Sequence, residues 1–143
     1  MNLIVFDCDD TLWKLPYKEE DDYMSLSESL NYEFEYKDDV IRILNDKRKD
    51  CENKLVILTN RYECVQTEIL EKLKKDKNIE FDYVLFRKDD RDKSNRLKTL
   101  LDELDGVKCV EFYDDKEKHI KAIKKLRWRY CNIKFRTFKI EKR

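Results

Sequence analysis

The sequence predicts an α/β, doubly wound fold on a mainly parallel sheet. Three observations carry this. Four short apolar runs recur along the 143 residues. Charged segments of helical periodicity lie between them. Acidic or polar clusters directly follow three of the four runs. Continuous apolar runs without alternation suit strands covered on both faces, as in a parallel sheet. Strand–helix alternation is the pattern of an α/β layering.

In chain order, residues 3–6 (LIVF) are the first predicted strand. A helix over 38–50 places Val40, Ile41 and Leu44 on one face. The second strand is 55–58 (LVIL), followed by a helix over 62–77 with Val65, Ile69 and Leu73 at a spacing of four. The third strand is 83–86 (YVLF), and the next helix, 94–104, carries Leu97, Leu100, Leu101 and Leu104. The fourth strand is 107–113 (VKCVEFY), and the helix over 117–130 carries Ile120, Ile123 and Leu126. Residues 132–140 alternate and predict a last strand. The length suits one domain, 1–143. One glycine and one proline leave no room for a flexible linker.

The apolar run at the start ends at Asp7, too short for a signal peptide, and no stretch could span a membrane. The five cysteines lie far apart with no CxxC pair, against a zinc ribbon or a disulfide framework. Reduced cysteines in a cytoplasmic protein are the expectation. The zero net charge hides an asymmetry, because residues 116–143 hold 12 Lys/Arg against 2 Asp/Glu. A basic end of this kind can bind a polyanion, which makes nucleic acid a candidate partner.

In open α/β sheets, ligands bind beyond the carboxyl ends of the strands. There the sequence places Asp7, Asp9 and Asp10 after the first strand, Thr59, Asn60 and Arg61 after the second, and Asp114 and Asp115 after the fourth. Several carboxylates in one crevice repel one another, and a divalent cation relieves that. Hard oxygen donors without a nearby thiolate or histidine suit Mg2+. A carboxylate beside such a cation is a competent nucleophile toward phosphorus, and a second carboxylate can handle the leaving group's proton. Thr59 and a lysine could hold the transferring oxygens. Both Lys93 and Lys98 precede the acidic strand.

FDCDDTLW, LVILTN, a lysine and EFYDDKEKH, in that order, resemble the four motifs of the haloacid dehalogenase-like (HAD) superfamily. The resemblance spans residues 3–119 and implies a Rossmann-like core. It also implies roles: Asp7 as nucleophile and metal ligand, and Asp9 as general acid/base with its main-chain carbonyl on the metal. Thr59 would bind the phosphoryl oxygen, while Asp114 with Asp115 would complete the Mg2+ site. RKDD followed by SNRLK is similar to the phosphatase domain of phage polynucleotide kinase-phosphatases. TNR and YDDKEKH are similar to the Swiss army knife group of RNA-repair-associated phosphatases. These narrower resemblances imply Lys98 as the third-motif lysine and Asn60 and Arg61 as substrate-binding. Asn60 stands where both groups have glycine, and Ser94 where the phage enzymes have an acid. His119 matches the RNA-repair pattern and is expected at the rim rather than in the chemistry.

Only 47 residues separate Thr11 from Thr59, so the expectation is a capless core or one with a small flap around 14–36. An open crevice admits a polynucleotide end, a nucleotide, a phosphoprotein or a metabolite. The functional expectation is a phosphomonoesterase working through an aspartyl-phosphate. A non-catalytic module that binds phosphorylated ends is the rival from another class, weakened by the presence of both Asp7 and Asp9.

Overall fold

The computed structural model describes residues 1–14 and 34–141. In chain order the elements are β1 (Asn2–Phe6), β2 (Trp13–Lys14), β3 (Glu35–Tyr36), α1 (Asp38–Lys47), β4 (Asn53–Tyr62) and α2 (Gln66–Lys77). They continue with β5 (Tyr83–Arg87), α3 (Lys93–Glu103), β6 (Cys109–Asp114), α4 (Glu117–Lys124) and β7 (Lys134–Lys139). Short 3-10 turns at Glu63–Val65 and Lys125–Trp128 flank α2 and α4.

The main sheet has the order β5-β4-β1-β6-β7, and every pairing in it is parallel. The expected doubly wound architecture is therefore present. β1 lies at its centre with both edges paired. Leu3, Ile4, Val5 and Phe6 are all fully buried, which is why the run is continuously apolar. Alternate residues serve opposite faces. Ile4 and Phe6 pack with Val40, Ile41 and Leu44 of α1 and Ile69 and Leu73 of α2. Leu3 and Val5 pack with Leu97, Leu100 and Leu101 of α3 and Ile120 and Ile123 of α4. Each buried side chain of this size contributes about 1.5–3 kcal/mol on leaving water, so the centre of the sheet can offset polar groups buried at its end.

The chain leaves β1 toward β4 and β5, then returns across it to β6 and β7. The direction of winding thus reverses between β1 and β6, which opens a crevice beyond their carboxyl ends. In register, Phe6 pairs with Tyr113 and Tyr113 with Phe138. Their rings stack at 4.8 and 4.7 Å across three strands, just below that crevice. The flap expected around 14–36 lies mostly outside the described residues. Where the chain is described on either side, β2 and β3 form a small antiparallel pair. Among the described residues no helix is long and apolar enough to cross a membrane.

Candidate active site

β1 ends at Phe6, and Asp7 still joins the ladder, its amide donating to the Tyr113 carbonyl at 3.0 Å. The chain then turns sharply. The amides of Thr11, Leu12 and Trp13 all point at the Cys8 carbonyl, and Asp10 takes a left-handed φ of 62°. Aspartate tolerates that region better than most residues. Cys8 is buried on the α1/α2 side of the core. Lys37 fixes the turn from outside by donating to the Asp10 carbonyl at 2.9 Å and to that of Glu141.

The turn brings Asp7 to within reach of the end of β6. One oxygen each of Asp7, Asp114 and Asp115 lies within 4.8 Å of the others, although 107 positions separate the first two in the sequence. All three carboxylates are buried. Lys93, also buried, donates to Asp7 Oδ1 at 2.7 Å and to Asp114 Oδ2 at 2.8 Å. Thr11 donates to Asp7 Oδ2 at 3.3 Å. Asp114 Oδ1 accepts the Lys116 amide at 2.9 Å, and His119 Nδ1 lies 3.2 Å from Asp114 Oδ2.

The lysine in this cluster is Lys93, not Lys98. α3 begins at Lys93, and at 100° per residue Lys98 sits about 140° round the helix. Lys98 instead offers its carbonyl to Tyr130 at 3.2 Å, on the far side of α3.

One ammonium cannot balance three buried carboxylates. Burial pushes Asp7 up to about 6, with the Asp114 charge adding to it and Lys93 opposing it. Burial pushes Asp115 up to about 8, helped by the charges of Asp7 and Asp114. For Asp114, burial acts in the same sense, but the His119 and Lys93 contacts overcome it and hold it below the usual carboxylate range. Lys93 is desolvated too, yet the two carboxylates it touches keep it firmly protonated. Both Asp115 oxygens are buried without a hydrogen-bond donor. A buried polar atom in that condition calls for a partner. The donor set is hard oxygen, so a magnesium-sized cation held by Asp7, Asp114 and Asp115 fits it.

The Asp9 carboxylate lies outside the cluster of Asp7, Asp114 and Asp115. Arg61 grips it with both prongs, Nε to Oδ2 at 2.8 Å and Nη2 to Oδ1 at 2.7 Å. The indole of Trp13 adds a third donor at 2.9 Å. What Asp9 has to offer a cation is its main-chain carbonyl. Trp13 itself is fully buried and stacks on Phe34 at 4.1 Å, so it is a packing residue. Thr59, Asn60 and Arg61 sit in the last part of β4, where pairing with β5 slips between Leu58 and Tyr62. Such an irregularity re-aims side chains. Thr59 is buried and its hydroxyl oxygen accepts the Arg61 amide at 3.1 Å. Asn60 Oδ1 is engaged by Arg96 at 2.5 Å.

Sequence reasoning did not find Lys37 or Arg96 at this site. Nothing marks Lys37 among so many lysines. Arg96 could have been found from its spacing of three from Lys93 on one helix face. The basic end forms α4, the turn after it and edge strand β7. In register, Lys139 of β7 lies opposite Asp114, and Trp128 is 74% exposed with Arg127 over its ring at 4.8 Å.

Residues 10–140 match the family model described as HAD domain family 1 in Swiss Army Knife RNA repair proteins. Two solved structures are similar in fold. One is of a Pnkp1/Rnl/Hen1 complex, with a TM-score of 0.68 and 18% identity over 98% of this chain and 45% of that one. The other is of the Pnkp1/Rnl/Hen1 RNA repair complex, with a TM-score of 0.68 and 20% identity over 98% of this chain and 42% of that one. This chain thus spans less than half the length of the chains it resembles. No curated protein matches it in sequence.

Proposed function

Because the chain belongs to HAD domain family 1 of the Swiss Army Knife RNA repair proteins, we propose that it is a magnesium-dependent phosphomonoesterase that removes terminal 3′-phosphates from polynucleotides. The observation that carries this reading is the buried meeting of Asp7, Asp114, Asp115 and Lys93 at the reversal of the sheet. A phosphoryl group, negatively charged and cation-bound, suits such a site.

In this proposal Asp7, Asp114 and Asp115 hold Mg2+, which supplies charge neutralisation to the phosphoryl oxygens. A carboxylate oxygen of Asp7 attacks phosphorus, and the bond from phosphorus to the ribose oxygen breaks. Lys93 and Thr59 stabilise the oxygens that carry charge during transfer. Asp9 gives its proton to the departing alkoxide, then takes one from the water that hydrolyses the aspartyl-phosphate and restores Asp7. For that, Arg61 must release at least one Asp9 oxygen, and the incoming phosphate is the ligand that can draw it off. The basic strand β7 running up to Asp114 supports a polyanionic substrate. Five unpaired cysteines support a cytoplasmic setting.

The test is phosphate release from a 3′-phosphorylated oligonucleotide, p-nitrophenyl phosphate and free nucleotides, with Mg2+ and with EDTA. Turnover should need Mg2+ and favour the oligonucleotide. Undiminished release in EDTA removes the metal from the proposal. Binding without release from any of these substrates leaves a non-catalytic module instead.

A further inference from the structure

On the β5 side of the crevice stand two guanidiniums, those of Arg87 and Arg96, that form no ion pair with a carboxylate among the described residues. Arg96 follows Lys93 by one turn of α3, about 4.5 Å further along its axis. Its Nη2 donates to Asn60, the residue after Thr59. Its Nε and Nη1 are buried and meet no acceptor, and the same is true of Arg87 Nε. Arg87 ends β5 in register with Tyr62. Its guanidinium lies 4.6 Å over the Tyr62 ring, which is 41% exposed. Burial lowers the Arg96 guanidinium; the Asp90 charge opposes this and the Arg87 charge adds to it. Asn60, which Arg96 touches, and Tyr62, which Arg87 covers, are two residues apart on β4.

Three buried guanidinium nitrogens that no acceptor among the described residues serves are unfavourable as they stand. Asp90 and Asp92 attract the Arg96 charge from a distance, but their hydrogen bonds go elsewhere. Asp90 accepts from Asn95 Nδ2 at 2.6 Å and from the Asp92 amide at 2.8 Å. Asp92 caps α3 through the Ser94 amide and hydroxyl.

We propose that Arg87 and Arg96 form a second phosphate subsite, which takes the phosphodiester adjoining the scissile phosphate of a polynucleotide end. Guanidinium forks match phosphate oxygens in geometry and charge. The chain Lys93, Arg96, Asn60, Arg87 leads away from Asp7 toward the β5 edge, which gives the strand a direction across the protein. Exposed Tyr62 beside Arg87 offers a stacking surface for the attached base. The identity of the scissile group rests on the phosphomonoesterase reading, but the subsite can be tested without it.

The experiment compares a nucleoside 3′-phosphate, a nucleoside 3′,5′-bisphosphate and a 3′-phosphorylated oligonucleotide on the intact chain. Turnover is measured on wild type, and binding on an Asp7→Asn background by calorimetry. A charge-assisted hydrogen bond predicts that the second phosphate tightens binding, and lowers KM, by about tenfold or more. Arg96→Gln and Arg87→Gln should each remove most of that advantage while weakening the monophosphate much less. Equal affinity for mono- and bisphosphate in the protein with both arginines overturns the subsite, and needs no variant to fold. Equal weakening of both ligands by the substitutions also overturns it. Tightening by the bisphosphate but not by the oligonucleotide overturns the polynucleotide as occupant. If no substrate releases phosphate, the phosphomonoesterase reading fails, while the calorimetric comparison still decides the subsite.

Discussion

Lys93 is one charge shared between two carboxylates, at 2.7 Å from Asp7 and 2.8 Å from Asp114. Removing it leaves both buried and unscreened, and takes a donor from the place where transferring charge is greatest. Lys93→Ala should therefore cost ~10²–10³ in rate. Lys98→Ala, changed on the opposite side of α3, should keep turnover near wild type, and the same assay checks both. Loss at Lys98 with Lys93 dispensable would contradict the geometry. Asp7→Asn should abolish phosphate release while the circular dichroism spectrum stays native, since the amide keeps the shape but is no nucleophile. Asp7, Asp114 and Asp115 could be read from the sequence because each follows a run of buried apolar residues. The choice of lysine could not. It depends on whether the helix starts at 93 or 94 and on an angle around its axis, and the resemblance pointed to Lys98, which lies outside the carboxylate cluster. The Arg61–Asp9 pair was equally hidden, because nothing local couples positions 52 apart.

At the scale of elements, α3 holds Lys93 in its first residue, so the helix start is also part of the site. Asp92 is the N-cap, accepting from the Ser94 amide at 2.9 Å. Loss of such a cap costs about 0.5–2 kcal/mol. Asp92→Ala should lower the urea midpoint accordingly, without changing the slope of the transition. It should also slow phosphate release, because fraying begins at Lys93. The expected drop in midpoint with unchanged turnover would show that the Asp7 and Asp114 contacts alone hold the lysine. The strands were legible because β1, β4 and β5 each carry a continuous apolar run and β6 a run broken only by Glu111. Their ends were less so. β4 runs on to Tyr62 through polar residues, since ladder hydrogen bonds continue where hydrophobicity stops. The pair β2 and β3 has only two residues on each side, too short for periodicity to show.

Across the whole molecule, the parallel sheet brings together acids from distant parts of the chain and buries three of them around one lysine. The fold class and the meeting of the strand ends were legible, because alternation of strands and helices dictates them. The net cost of the meeting was not, because it depends on burial. That cost makes a prediction about stability. The pKa of Asp7 is raised from 3.8 to about 6 and that of Asp115 from 3.8 to about 8. A carboxyl group raised in the folded state contributes stability below its unfolded value, and that contribution is lost as pH rises through the folded value. Asp114 is shifted the other way, so its contribution is already complete above about pH 4 and is lost only in stronger acid. Between pH 5 and pH 8.5, the cluster in EDTA should thus destabilise the protein progressively as pH rises. A cation competes with those protons, so its benefit should grow over the same interval. The expected result is a Tm in EDTA that falls across this range, and a Tm increase on adding Mg2+ that is small at the acid end and largest at pH 8.5. Asp115→Asn should flatten the fall in EDTA and shrink the Mg2+ response, because it removes the carboxyl with the largest upward shift. A Tm in EDTA that rises with pH would mean that the raised carboxyls do not govern stability in this range, and a Mg2+ response independent of pH would mean that these three carboxylates are not the cation's ligands.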